Sequence, residues 1–196
     1  MSKAHFPDTH HDTYSKTVFG FWIYLLTDFV LFATILSVYF VLRNSTFGGP
    51  GACDLLPLSF TFVQTLILLT SSLTSGLAGV AAHRKQKMTT AVLFGITFVL
   101  GSIFLWMEFS GFHDLIQAGN GWRRSAFLSA YFTLLGTHAI HVIFALLWTL
   151  VLLPFIWLYG MNTVTLQRLT SLRLFWQFLN MIWIGIFTIA YLMEMR

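Results

Sequence analysis

Four ionisable side chains stand inside long apolar runs of this chain: Asp28, Glu108, His138 and His141. Such groups are rare and costly in hydrocarbon, so each is a functional candidate. His138 and His141 are three residues apart and project from one helix face. Gly136 and Ala139 beside them leave room for a neighbouring helix to come close. Three kinds of chemistry suit these residue types: metal or haem ligation, proton transfer, and hydrogen bonding between helices. Ligation fails on geometry, because two histidines of one face cannot sandwich a haem and a stable metal site wants a third or fourth ligand. His83 and His113 lie at the ends of their runs, away from that depth. Counted along the helices, Asp28 lies about 21 Å from Leu42 and His141 about 22 Å from Ala126, so they meet at one level. Asp28 is therefore expected to accept a hydrogen bond from the histidine pair, since an unpaired carboxylate at that depth is disfavoured. Glu108 stands about 6 Å from the end of its run and is expected to reach the interface; helix pairing or a lipid head-group contact competes there with a proton path. Gln64, Gln177 and Asn180 are neutral amides able to satisfy such partners.

The elements that must position these groups are apolar runs over 18–42, 55–82, 91–112, 126–158 and 174–193. Each suffices to cross the ~30 Å hydrocarbon core as a helix. The composition, 57% hydrophobic, 17% aromatic and only 9% charged, with a mean hydropathy of +0.76, excludes a soluble globular domain. The fold class is an all-α integral membrane protein, a bundle of five transmembrane helices. Residues 18–196 form one domain without a linker, behind a polar N-terminal tail over 1–17. The tail histidines His5, His10 and His11 read as part of a solvated segment with no assigned role. The first run is too long for a signal-peptide core and is expected to be retained as an anchor. The single Cys53 excludes an internal disulfide and a cysteine-rich cluster. A net charge of +4 arises from cations scattered over tails and loops, with no basic groove for nucleic acid.

Five spans put the termini on opposite sides. Lys3, Lys16, Arg84, Lys85, Lys87, Arg168 and Arg173 fall on the N-terminal side, against Arg43, Arg123, Arg124 and Arg196 on the other. The cation bias places the N-terminus in the cytoplasm and the C-terminus in the periplasm. Residues 44–51 form a Gly/Pro turn region, and Pro57 suits the first turn of the second helix. In that helix Ser72 with Gly76, and Ser75 with Gly79, offer a face for close helix packing. Pro154 suggests a break near the end of the fourth run, and residues 162–171 read as the loop before the last helix. Trp22, Trp106, Trp122, Trp157, Trp176 and Trp183 read mostly as interfacial anchors.

Three segments together carry a family pattern. Phe19-Gly-Phe-Trp-Ile-Tyr-Leu-Leu-Thr-Asp-Phe-Val-Leu-Phe, Phe132-Thr-Leu-Leu-Gly-Thr-His-Ala-Ile-His-Val and Phe175-Trp-Gln-Phe-Leu-Asn-Met-Ile-Trp-Ile resemble, in that order, signature segments of subunit III of the haem-copper oxidases. The five-helix subunit of the cytochrome o ubiquinol oxidase branch is the best match, over nearly the whole chain. The resemblance implies a non-catalytic subunit of the bacterial inner membrane, without cofactors of its own. It would lie beside a catalytic subunit I that holds haem and copper, reduces oxygen and pumps protons, and it would support assembly and bind phospholipid. The family's acid in the first segment, usually Glu in the cytochrome c oxidase branch, is Asp28 here and is associated with a lipid-lined cleft. Where the family commonly has Trp-His-Phe-x-Asp, this chain has Trp176-Gln177-Phe178-Leu179-Asn180. Both titratable groups have become amides, which keep the hydrogen-bonding shape, so the resemblance does not carry a proton-linked role over to these two positions.

Other readings compete. An accessory subunit of a cytochrome c oxidase or nitric oxide reductase shares the superfamily pattern. A stand-alone transporter using Asp28 and the histidines would need helices interrupted at midplane, and no such interruption or internal repeat is legible. An autonomous membrane enzyme would need a nucleophile–base constellation or a cofactor motif, and neither is visible.

Overall fold

The computed structural model describes residues 9–49, 51 and 58–192. Five long helices make up the chain: α1 (Thr9–Leu42), α2 (Leu58–His83), α3 (Lys87–Gln117), α4 (Ala126–Tyr159) and α5 (Thr163–Phe187), the last continued by a π-helical turn, Thr188–Leu192. All five contain stretches long and apolar enough to cross a membrane. In hydrocarbon every backbone N–H and C=O must find a partner within the segment, which leaves the helix as the form for these runs.

The helices outrun their apolar cores. α3 extends about a turn before and more than a turn beyond the 91–112 run, and α5 begins at Thr163. The stretch 162–171, read as a loop, is thus helical from its second residue, with Asn162 at the N-cap position. The physical reason is that an apolar run marks the hydrocarbon crossing, whereas helical hydrogen bonding continues through the polar interface. Pro154 likewise does not end α4, which runs on to Tyr159. One missing N–H near a helix end is tolerated where neighbouring turns hold. The helix stops where Gly160 adopts φ +70°. α1 is already helical at Thr9, inside the polar stretch. Pro57, Cys53, the first residues of the 55–82 run, the far end of the 174–193 run and the first eight residues lie outside those described.

Tight turns order the bundle. α2 and α3 are joined by Arg84–Gln86, where Lys85 takes a left-handed φ of +57° and the amide of Gln86 donates to Ala81 O at 3.0 Å. After α3, Gly119 at φ +77° lets Asn120 N–H reach back to Leu115 O, 2.9 Å. α4 then opens with Ser125 Oγ accepting from Leu128 N–H, 3.1 Å. This is a serine N-cap, which satisfies one of the four free donors of the first turn.

Three layers of apolar packing stack along the bundle axis. One end holds Tyr39, Phe127, Tyr131 and Ile186. The middle holds Leu25, Phe104, Ala139, Trp176 and Trp183. The other end holds Ala78, Phe94, Ile156 and Leu169. α2 packs on α3 and α5, α4 touches α1, α3 and α5, and α1 leans on α4 and α5. α1 is the least buried span, its outer face lined by Phe19, Trp22, Leu26 and Val30. The middle layer surrounds the polar groups singled out in the sequence.

Candidate functional site

The structure brings Asp28 and His141 together and separates the two histidines by role. Asp28 on α1 is 8% exposed, and its Oδ2 stands 3.9 Å from His141 Nε2. That is ion-pair range and beyond a hydrogen bond. The expected bond from the histidine pair is therefore not made, and Asp28 Oδ2 has no hydrogen-bond partner. The reason is local: His141 Nδ1–H donates to Thr137 O one turn back, 2.7 Å, which fixes the ring and holds Nε2 short of the carboxylate. Tyr24, one turn before Asp28, faces the same carboxylate.

His138 turns the other way. It is fully buried, and its Nε2–H donates to the backbone carbonyl of Leu179 on α5, 3.2 Å away. Phe104, Trp183 and Phe32 cage the ring at centroid distances of 5.8, 5.1 and 6.3 Å. Aromatic edges and faces at such distances contribute packing and quadrupole attraction. Gly136 is not the close-approach point foreseen for this helix, because a Cβ there would meet nothing within 4 Å. The tight crossing is at Gly101 of α3, where a Cβ would lie 2.5 Å from Trp176 Cη2.

Glu108 is 3% exposed. It pairs across helices: Gln64 Nε2–H of α2 donates to Glu108 Oε2 at 2.9 Å. Gln64 thus does what a neutral amide beside a buried acid was expected to do.

The two amides of the third segment diverge. Asn180 is 6% exposed, with Oδ1 unpartnered, while Gln177 is exposed and lies over Gly76 of α2, its Nε2 3.7 Å from where a Cβ would sit. The small-residue face of α2 meets α5 as expected. Ser75 is fully buried, and Gly79 makes room for the guanidinium end of Arg173.

Two contacts correct the reading of the tryptophans. Trp176 and Trp183 are 3% and 0% exposed. Their indole N–H groups donate to Ser71 Oγ at 2.7 Å and Thr65 Oγ1 at 3.0 Å, stitching α5 to α2. Their seven-residue spacing, two helical turns on one face, is the signal that would have found them. Trp22, Trp106, Trp122 and Trp157 are more than half exposed.

As a whole, the site can pair helices and present an acid–imidazole couple. The two histidines are engaged separately, His138 with Leu179 O on α5 and His141 with Thr137 O on its own helix. Among the described residues no three His, Cys, Asp or Glu side chains converge to hold a metal ion.

No protein-family model matches the chain, whereas individual relatives match it closely. It is 48% identical over 190 residues to the cytochrome bo(3) ubiquinol oxidase subunit 3 of Pseudomonas aeruginosa, covering 97% of this chain and 91% of that protein. It is 36% identical to the subunit of the same name from Buchnera aphidicola, over 100% of both chains. A cytochrome c oxidase subunit 3 from Bacillus sp. is 39% identical over 90% of this chain and 85% of its own length. Five membrane-spanning helices, a polar middle layer devoted to holding them together, and near full-length similarity to these proteins agree: the chain belongs to the family of cytochrome bo(3) ubiquinol oxidase subunit 3.

Proposed function

We propose that this chain is a non-catalytic subunit of a proton-pumping quinol oxidase in the bacterial inner membrane, with its N-terminus in the cytoplasm and its C-terminus in the periplasm. The carrying observation is the 48% identity to a ubiquinol oxidase subunit over 97% of the chain. Haem and copper belong to the partner subunit I, which oxidises quinol, reduces oxygen to water and moves protons. This chain packs beside that subunit, sustains its activity and contacts phospholipid. Residues 18–196 act as one packing unit, in which Asp28, Glu108, His138, His141, Gln177 and Asn180 serve helix pairing and contacts at the membrane-facing surface. The engaged imidazoles support a structural role. A cytochrome c oxidase assignment has support in the Bacillus relative, and the higher identity to the quinol branch favours the first reading.

The test is an oxidase complex assembled with and without this chain. The expected outcome is an initial rate of quinol-driven oxygen consumption close to that of the full complex, followed by faster loss of activity during turnover. An immediate loss of oxygen reduction with the haems spectrally intact would assign the chain a direct part in the chemistry.

A further inference from the structure

The Asp28–His141 couple stands at the wall of a hollow in the side of the bundle. His141 of α4 lines this hollow of about 540 Å³, together with Tyr24 of α1, Phe144, Leu147 and Trp148 of α4 and Phe175 of α5. Its size falls within the range of small-ligand sites, about 300–1,000 Å³. Phe175 joins the aromatic walls, its ring centroid 6.3 Å from Tyr24, 6.4 Å from His141 and 6.3 Å from Trp148. The polar side is the couple itself. His141 Nδ1–H is committed to Thr137 O, and Nε2 stops 3.9 Å from Asp28 Oδ2. That oxygen has no hydrogen-bond partner, and Asp28 is only 8% exposed. Both groups lie deep. His141 is about 22 Å and 26 Å from the ends of the 126–158 run, and Asp28 about 15 Å and 21 Å from those of the 18–42 run.

A hydroxyl group fits this pair in either of its charge states. Facing a neutral imidazole and a carboxylate, it donates to an acceptor; facing an imidazolium, it accepts from Nε2–H and donates to Oδ2. An ester or ketone oxygen only accepts, and an acyl chain does neither. A phospholipid keeps its head group about 15 Å from the midplane, so it brings acyl chain alone to this level and leaves the pair unmet. A helix, about 10 Å across, covers such a hollow without entering it. The walls instead suit a flat ring, because aromatic side chains on several sides offer stacking and edge contacts. We propose that the hollow between α1, α4 and α5 binds the ring of a lipid-soluble hydroquinone, one ring hydroxyl bridging His141 Nε2 and Asp28 Oδ2, with Tyr24, Trp148 and Phe175 around it. The site holds the ring and carries out no electron transfer. The assignment rests on the reading of the chain as a subunit of a quinol oxidase, and it gives this chain a binding position of its own for that class of molecule.

The experiment uses the complete complex in mild detergent and a hydroquinone with a photoactivatable diazirine on the first carbon of its tail. Labelled residues are read by peptide mass spectrometry and normalised to the amount of this chain. Label is expected in residues 144–151 of α4, and excess unlabelled hydroquinone is expected to displace it. Leu147 is 54% exposed, so Leu147→Trp leaves the fold intact and fills the hollow; it is expected to abolish the label. His141→Phe keeps a ring and removes the hydrogen-bonding nitrogens, with an expected loss of label of about fivefold, the effect of one hydrogen bond. His141→Gln, which keeps a donor and an acceptor, is expected to restore most of it. Label confined to other subunits, equal displacement by phospholipid and by hydroquinone, or full label in Leu147→Trp or His141→Phe would overturn the proposal. Any of these in a preparation that holds haem and oxidises quinol refutes the site alone. A colourless preparation without oxidase activity, in which label still enters α4 and is displaced by hydroquinone, would keep the site and refute the oxidase reading.

Discussion

His138 shows how an ionisable side chain becomes a structural fastener. Its ring is enclosed by three aromatic residues, and its Nε2–H reaches a carbonyl of another helix. His138→Ala removes that bond and most of the ring's contacts, with an expected cost of about 1–2 kcal/mol or more, since interhelical hydrogen bonds in membranes contribute on that scale. A fall in the thermal unfolding midpoint in detergent checks this, and an unchanged midpoint contradicts it. Glu108 makes a sharper pair of variants. Glu108→Ala strands the buried amide of Gln64, a loss of about 1–3 kcal/mol, whereas Glu108→Gln keeps a polar partner at 2.9 Å reach and is expected to cost under about 1 kcal/mol. Equal destabilisation by both would mean that the carboxyl group does something an amide cannot. At this scale the sequence made the candidates visible, because acids and imidazoles stand out in apolar runs. Their partners were legible only in part. The level shared by Asp28 and His141 follows from counting residues, but the 3.9 Å gap depends on His141 bonding back to Thr137, a rotamer choice that spacing does not fix.

At the scale of helices, close approach is decided at one glycine and is irrelevant at another. Gly101 lies against Trp176 and Leu146, so Gly101→Ala forces the indole or the helix to move, with an expected cost of about 1–3 kcal/mol. Gly136→Ala meets open space and should be neutral or stabilising by about 0.5–1 kcal/mol through helix propensity. Thermal unfolding of the two variants side by side separates these outcomes, and a larger loss at Gly136 would contradict the packing described. Sequence alone favoured Gly136 because it neighbours the histidines, and had no way to show which face of α4 would meet α3. The apolar runs located all five helices. Their ends were misplaced at α3 and α5, because hydropathy reports where hydrocarbon begins while helical hydrogen bonds extend into the polar interface. Trp176 was misread because it stands near the start of the 174–193 run, as anchors do; Trp183 stands at the middle of that run, and both indoles lie in the core.

The whole molecule is a bundle whose described polar contacts are spent on its own helices, the Asp28–His141 couple between α1 and α4 included. A subunit of this kind contributes by what it packs against. Asp28→Ala is therefore expected to reduce retention of the chain in the complex and endurance under repeated turnover, with the initial rate of oxygen consumption changed less than about twofold. Rate measurements on the assembled variant check this, and an immediate large loss of rate would move Asp28 into the reaction path. The most direct test of the central claim is purification of the tagged chain from native membranes in mild detergent, with an optical spectrum and quinol-driven oxygen consumption recorded on the product. The account predicts haem bands and oxidase activity that travel with the chain. A colourless preparation without oxidase activity would contradict it.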